Sequence, residues 1–275
     1  MKTSKTLSLL ILSLFATAAL AFTPPAALAA DVSIGAGAGV VPDYEGSDDY
    51  EVVPVPYLTV KWDNNMSLDL LGNKAKANLL PSPTWKLGPI FQYIKQRDNV
   101  DDNKVDKMKN VGTSLMAGGF LGFHYENWRA GIEAMTDVNN GNDGSIVRLN
   151  GGYSIPFAPV WNLSIGVYTT WADDDYMSSY FGVDRKDAER SGLKRYNADS
   201  GFKDVGTTFT LSYSPWQRVS LLGIAGYKRL LGDAADSPVT DDRGDENQFV
   251  AAIVAVYHFN IGSTEQSEVG SGAWY

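Results

Sequence analysis

The sequence predicts an all-β fold: a closed antiparallel transmembrane β-barrel of about 12 strands, with short turns at one end and long loops at the other. Three features carry the prediction. Polar and apolar residues alternate with period two through most of the chain beyond residue 30. The connections between alternating segments fall into two length classes, and the classes themselves alternate along the chain. The first thirty residues have the layout of an export leader. Composition agrees, with 12% aromatic residues, 27 Gly and an ordinary 44% hydrophobic content in 275 residues. The absence of cysteine excludes a disulfide scaffold and thiolate metal centres. Acidic residues outnumber basic ones, 32 to 23, and the formal charge of −9 excludes a nucleic-acid binder, which needs Lys and Arg facing phosphate.

The leader, 1–30, opens with Lys2 and Lys5, continues through the apolar run Leu7–Leu14 and closes on Ala27-Leu28-Ala29. That small-x-small pattern predicts cleavage after Ala29 or Ala30. The apolar run is shorter than the ~20 residues of a spanning helix, so an uncleaved anchor is the lesser alternative.

The predicted strands lie at 32–41, 50–62, 65–71, 74–80, 84–96, 111–126, 128–138, 145–155, 159–172, 204–214, 218–232 and 247–259. In the seventh, Trp128, Ala130, Ile132 and Ala134 interleave with Arg129, Gly131, Glu133 and Met135. In the ninth, Trp161, Leu163, Ile165 and Val167 interleave with Asn162, Ser164, Gly166 and Tyr168. Such segments, with aromatics near their ends, match membrane strands with interfacial girdles. A soluble sandwich is the competing reading, and the loops decide against it. Short turns at 63–64, 81–83, 127, 156–158 and 215–217 alternate with long loops at 42–49, 97–110, 139–144, 173–203 and 233–246; only Gly72-Asn73 breaks the rhythm. This asymmetry predicts the outer membrane of a Gram-negative bacterium, periplasmic turns, extracellular loops and both termini in the periplasm, among outer-membrane lipid and lipopolysaccharide. Pro54 and Pro56 fit badly in a regular ladder and predict a bulge, a bend or a misplaced boundary in the second strand.

Three motifs stand out. Pro42-Asp43-Tyr44-Glu45-Gly46-Ser47 follows a Gly/Ala run at 35–39. Ser179-Tyr180-Phe181-Gly182-Val183 precedes Ser191-Gly192 and Tyr196. Ser237-Pro238-Val239 precedes Asn247-Gln248-Phe249, which opens a strand ending Tyr257-His258-Phe259. In this order and spacing the set resembles the MipA/OmpV family of outer-membrane proteins, over essentially the whole barrel region 31–259. The resemblance implies an outer-membrane barrel acting as a scaffold between a lytic transglycosylase and a bifunctional penicillin-binding protein. Some relatives are instead treated as porin-like, osmoregulated or adhesive. One departure is the tail 260–275, which is either a flexible periplasmic arm or, through Trp274-Tyr275, the terminal aromatic assembly signal. Read as bare chemistry, 42–47 is a turn former, and 175–181 forms either a short helix folded inward as a plug or an ordered surface loop.

No catalytic signature appears. His124 and His258 are the only histidines and fall on strands expected on opposite sides of the barrel; Gly-x-Ser-x-Gly and His-Glu-x-x-His are absent. A non-enzymatic protein without cofactor is therefore expected, with a narrow porin-like channel as the alternative function. Pairing Val138 with Ser145 predicts an inward charge cluster in which Met135 faces Arg148 and Glu133 and Asp137 lie on its diagonals. That cluster either fills the lumen or forms a selective constriction. Loops 42–49 and 233–246 are acidic and meet where the first and last strands close, which predicts an outward acidic rim with Asp43, Glu45, Asp241 and Asp242 as candidates for divalent-cation binding, or else a solvated, repulsive surface.

Overall fold

The structure, a computed structural model, describes residues 29–262. Twelve antiparallel strands form a closed barrel in which each strand pairs with its neighbours in sequence. The first six are β1 (Ala30–Pro42), β2 (Tyr50–Trp62), β3 (Ser67–Leu71), β4 (Lys74–Asn78), β5 (Trp85–Ile94) and β6 (Ser114–Tyr125). They continue as β7 (Trp128–Asp137), β8 (Ser145–Ala158), β9 (Trp161–Ala172), β10 (Gly201–Trp216), β11 (Val219–Leu230) and β12 (Asn247–Ile261). The seam is β1 against β12, in unbroken register from Ala30↔Ile261 to Val40↔Ala251. β12 therefore runs two residues past the predicted end at 259, because Asn260 and Ile261 find partners in Asp31 and Ala30. The leader through residue 28, with its cleavage signal, and the tail beyond Gly262, with Trp274-Tyr275, lie outside the described residues.

The loops gather at one end of the barrel and the short turns at the other. Outward positions are apolar: Val52, Ile132, Val167, Phe209 and Ile253 are all exposed, with Val52 at 75% and Ile253 at 70%. A soluble protein does not expose such a continuous face, whereas a bilayer covers it. Near the turn end the outward face carries aromatics, and Trp85–Phe123 and Trp128–Tyr153 are directly opposed cross-strand pairs with centroids 5.1 and 4.6 Å apart. This matches an interfacial belt.

The two prolines do not kink β2. Its register with β1 is continuous through Pro54↔Ala38 and Pro56↔Ala36. The reason lies on the other side, where β3 pairs only with Tyr57–Lys61 because the β3–β4 hairpin is short. Pro56 presents its carbonyl to that side, accepting from Gly72 N at 2.9 Å, so Pro54 and Pro56 occupy the parity whose N–H groups would face the gap. Proline removes two donors that would otherwise be unpaired in lipid, and it blunts the edge against further pairing. Above the low wall, Lys95 Nζ bridges to Glu51 at 2.7 Å and Asp43 at 3.1 Å.

The interior is layered. Inward Gly35, Gly37 and Gly39 of β1 let the wall close tightly; a Cβ on Gly37 would stand 2.0 Å from the Ile253 carbonyl oxygen. Val55, Tyr57, Leu222, Val254 and Val256 fill that side of the lumen. The opposite side carries charged and amide residues, and the loop end is filled by the longest loop.

Candidate functional site

The longest loop forms two short helices, α1 (Asp174–Phe181) and α2 (Arg185–Ser191); a third, α3 (Asp233–Asp236), lies in the loop before β12. Asp173 caps α1, its carboxylate accepting from Tyr176 N at 2.9 Å, and Asp174 and Asp175 complement the positive end of the helix dipole. Tyr176, Met177, Tyr180 and Phe181 make one buried face, spaced to fall on one side of a helix. That face turns into the mouth of the barrel. It packs with Ile90 of β5, Met116 of β6, Met135 of β7, Ile146 of β8, Ala172 of β9 and Leu230 of β11, and Phe181 is 0% exposed. The helix is a plug.

Polar pins from four other loops hold it. Glu45 reaches inward from loop 43–49, accepting from Lys203 Nζ at 2.5 Å, Lys228 Nζ at 2.6 Å and the Tyr176 hydroxyl at 2.9 Å. A bulge between Phe202 and Asp204 lets both Lys203 and Asp204 be buried, 2.7 Å apart. Burial pushes the Glu45 carboxyl pKa up, but Lys203 and Lys228 outweigh it and hold Glu45 well below the usual carboxylate range. Arg97 donates to the Tyr180 carbonyl at 2.7 Å, Asn142 to the Tyr180 hydroxyl at 3.3 Å and Ser237 to the Phe181 carbonyl at 2.6 Å.

Most of the three sequence motifs converge on this plug. Tyr44 is buried with Val100, Val105, Met108, Val183, Leu193 and Val239 in a small core that binds the loops together. Its hydroxyl donates to the Arg243 carbonyl at 3.3 Å, and burial, reinforced by Asp102, pushes its pKa far up. Gly46 adopts a φ of 101°, which favours glycine. Its N–H donates to Gln248 Oε1 at 3.1 Å, while Gln248 Nε2 donates to the Ser47 carbonyl at 2.9 Å, so the first and last loops are stitched through one buried glutamine. Gly182 ends α1, and Val183 bridges to Tyr196. Pro42 closes β1, and Phe249 stands apart from the plug, outward and 5.2 Å from the Tyr227 ring. Sequence reasoning treated 42–47 as a turn and missed Lys203, Lys228, Arg97 and Asn142. The signal was present in Lys203 and Lys228, cations on strands flanking the second and third motifs.

Two expected clusters are rearranged. The four rim candidates do not gather: Glu45 is inside and ion-paired, Asp43 binds Lys95 and the Asp101 N–H, and of the four only Asp241 and Asp242 are exposed, on a loop surface that also carries exposed Asp48, Asp49, Asp236 and Asp245. Among the described residues no group of three or more His, Asp or Glu side chains is placed to hold a metal ion. In the lumen, Thr136 pairs with Ser145 where Val138 was expected, and Glu133 directly opposes Arg148. The strand stops early because the Asp137 carboxylate accepts the N–H groups of Asn139, Asn142 and Asp143, turning it into a loop cap. Met135 lies in the plug core and does not face Arg148. Glu133 binds Lys74 at 2.9 Å and Lys76 at 2.6 Å on β4, while Arg148 donates to Thr170 at 3.2 Å and lies over the Tyr168 ring. A cavity of about 20 Å³ beside Lys76, Glu133 and Asn150 has room for one water. His258 sits between two serines, with Nδ1 2.8 Å from Ser33 Oγ and Nε2 2.8 Å from Ser220 Oγ, and β6, which carries His124, lies across the barrel.

Residues 34–259 match the family described as MltA-interacting protein MipA. The MltA-interacting protein of Escherichia coli K12 is 29% identical over 221 residues, covering 76% of this chain and 84% of its own length. YiaT of Escherichia coli O157:H7, whose name describes an outer membrane protein, is 25% identical over 233 residues, covering 82% and 91%. Among solved structures, an outer membrane channel from Pseudomonas putida F1 aligns with a TM-score of 0.42 at 11% identity, over 86% of this chain and 97% of that one. Closed on itself, apolar outside and matched from its first strand to its last, this outer-membrane barrel belongs to the MipA family.

Proposed function

We propose that the chain is a non-enzymatic, plugged barrel that serves as an outer-membrane scaffold for cell-wall turnover, with its loops outside the cell and both termini in the periplasm. The observation that carries this reading is the plug. Six strands contribute buried residues around α1, and polar contacts from four separate loops pin it, so the mouth is built to stay shut. The name MltA-interacting protein says of its bearer that it interacts with MltA, and the family resemblance implies a lytic transglycosylase and a bifunctional penicillin-binding protein as the partner class. Docking then falls to the turn end, the barrel rim and residues 260–275. The test pairs two measurements on the purified full-length barrel. Scaffold function predicts co-purification with a lytic transglycosylase from detergent-solubilised envelopes and no steady single-channel conductance. Steady conductance without co-purification supports the second reading, a narrow solute channel, which the charged lumen around Lys74, Lys76, Glu133 and Arg148 favours.

A further inference from the structure

The loop end is electrically divided, and its basic part is built as a rigid platform. Segments 104–109 and 184–195 hold eight Lys and Arg against four carboxylates, in a chain whose overall charge is −9. They lie side by side: α2 packs on the 3-10 turn Val105–Lys107, and Lys109 N donates to the buried Asp187 carboxylate at 2.6 Å. Beneath them Val105, Met108, Val183 and Leu193 share the small core with Tyr44. Burial of these alternating residues turns the intervening cations outward, and Lys104, Lys107, Lys109, Lys186, Lys194 and Arg195 are all exposed. Among the described residues none of the six forms an ion pair. The carboxylates nearby are committed elsewhere. Asp187 also binds Arg190, Asp184 caps α2, and Asp106 accepts from Val100 N.

Six exposed cations without an ion pair, on segments that together carry a net charge of +4, raise the local potential and draw multivalent anions. We infer that this platform binds the phosphate groups of the glycolipid forming the outer leaflet around the barrel mouth. The occupant follows from location and charge. The barrel lies in the outer membrane, the loop end emerges among lipid headgroups, and an anion held in the same membrane reaches the platform at an effective concentration no dilute solute matches. The neighbouring acidic loops repel the same phosphates, which confines binding to this face. The inference rests on the proposed outward orientation of the loops.

The test uses full-length barrel in detergent with purified lipopolysaccharide, native or enzymatically dephosphorylated. Native lipopolysaccharide should bind, and binding should weaken steeply as salt rises, because the contacts are exposed. A variant with all six cations changed to Gln should bind about tenfold or more weakly, matching wild type with the dephosphorylated lipid. Its heat-modifiability should be unchanged, since none of the six is paired; should the variant fail to fold, the dephosphorylated and salt arms still decide. Equal binding of native and dephosphorylated lipid overturns the inference, as does a soluble polyphosphate that binds as tightly as the glycolipid. Orientation is read separately. The chain has no cysteine, so Lys194→Cys gives one site for an impermeant maleimide on whole cells. Labelling of intact cells is expected. Labelling only after permeabilisation overturns the outward orientation together with this inference, whereas labelled intact cells without phosphate-dependent binding overturn the platform alone.

Discussion

Replacing Glu45 with Gln tests whether the first motif is a pin for the plug. The carboxylate receives two ammonium groups and one phenol, at 2.5, 2.6 and 2.9 Å. Removing one partner from a buried ion pair costs about 3–5 kcal/mol when the other charge is stranded. Here the stranding is partial: Lys203 keeps Asp204 at 2.7 Å, and Lys228 is about a quarter exposed. A loss of about 2–3 kcal/mol is therefore expected, which raises the open population of the plug roughly 30- to 150-fold. Hydrogen exchange of the α1 amides, read by mass spectrometry on the detergent-solubilised barrel, measures this directly. The barrel strands should keep their protection. The pH dependence has a definite sign. The folded carboxyl pKa of Glu45 lies below its unfolded value of 4.5, so its stabilisation is fully present above that value and is lost as pH falls toward the folded pKa. Corrected for intrinsic exchange, α1 protection in wild type should be flat at neutral pH and decline below about pH 4.5, and Glu45→Gln should lack that contribution to the decline. Less than about a threefold change in α1 exchange at pH 7 would refute the pin.

Three further outcomes follow from the same geometry. Phe181→Ala empties a fully buried site at the centre of the plug and should cost about 3–5 kcal/mol, seen as faster α1 exchange and as intermittent current through single barrels. Gly37→Ala should abolish the heat-modifiable folded form, because its Cβ would stand 2.0 Å from a backbone oxygen of β12 that cannot move without opening the seam. Pro54→Val with Pro56→Val restores two N–H groups on the open edge of β2, and SDS-resistant oligomers should increase while the monomer's circular dichroism stays unchanged.

The barrel was legible because its physics is local. A strand with lipid on one side and a lumen on the other must alternate, and adjacent antiparallel strands need only a turn, so alternation and loop length locate all twelve strands. Boundaries drifted where pairing with a distant strand decides them, as at Ile261, held by Ala30. The proline problem shows the same limit. Pro54 and Pro56 contradict a ladder until it is known that β3 is too short to pair there, and only the assembled sheet shows which edge lacks a partner. The Asp137 turn likewise hid its two-residue slip, because the carboxylate that ends β7 acts through loop amides rather than through alternation.

The plug divides the two levels most clearly. Local patterning leaves 175–181 as either a short helix with Tyr180 and Phe181 folded inward or an ordered surface loop, since periodicity acts over a single turn and does not say what an apolar side will cover. The sequence by itself determined that loops 42–49 and 233–246 meet, because a closed barrel joins its ends. That Glu45 leaves the loop surface and turns inward is set by the assembled barrel. That choice depends on Lys203 and Lys228, 158 and 183 residues away along the chain, and on the bulge that buries Lys203 and Asp204 together. A carboxylate's partner is set by which cation shares its low-dielectric pocket, and no pattern of neighbouring residues encodes that proximity.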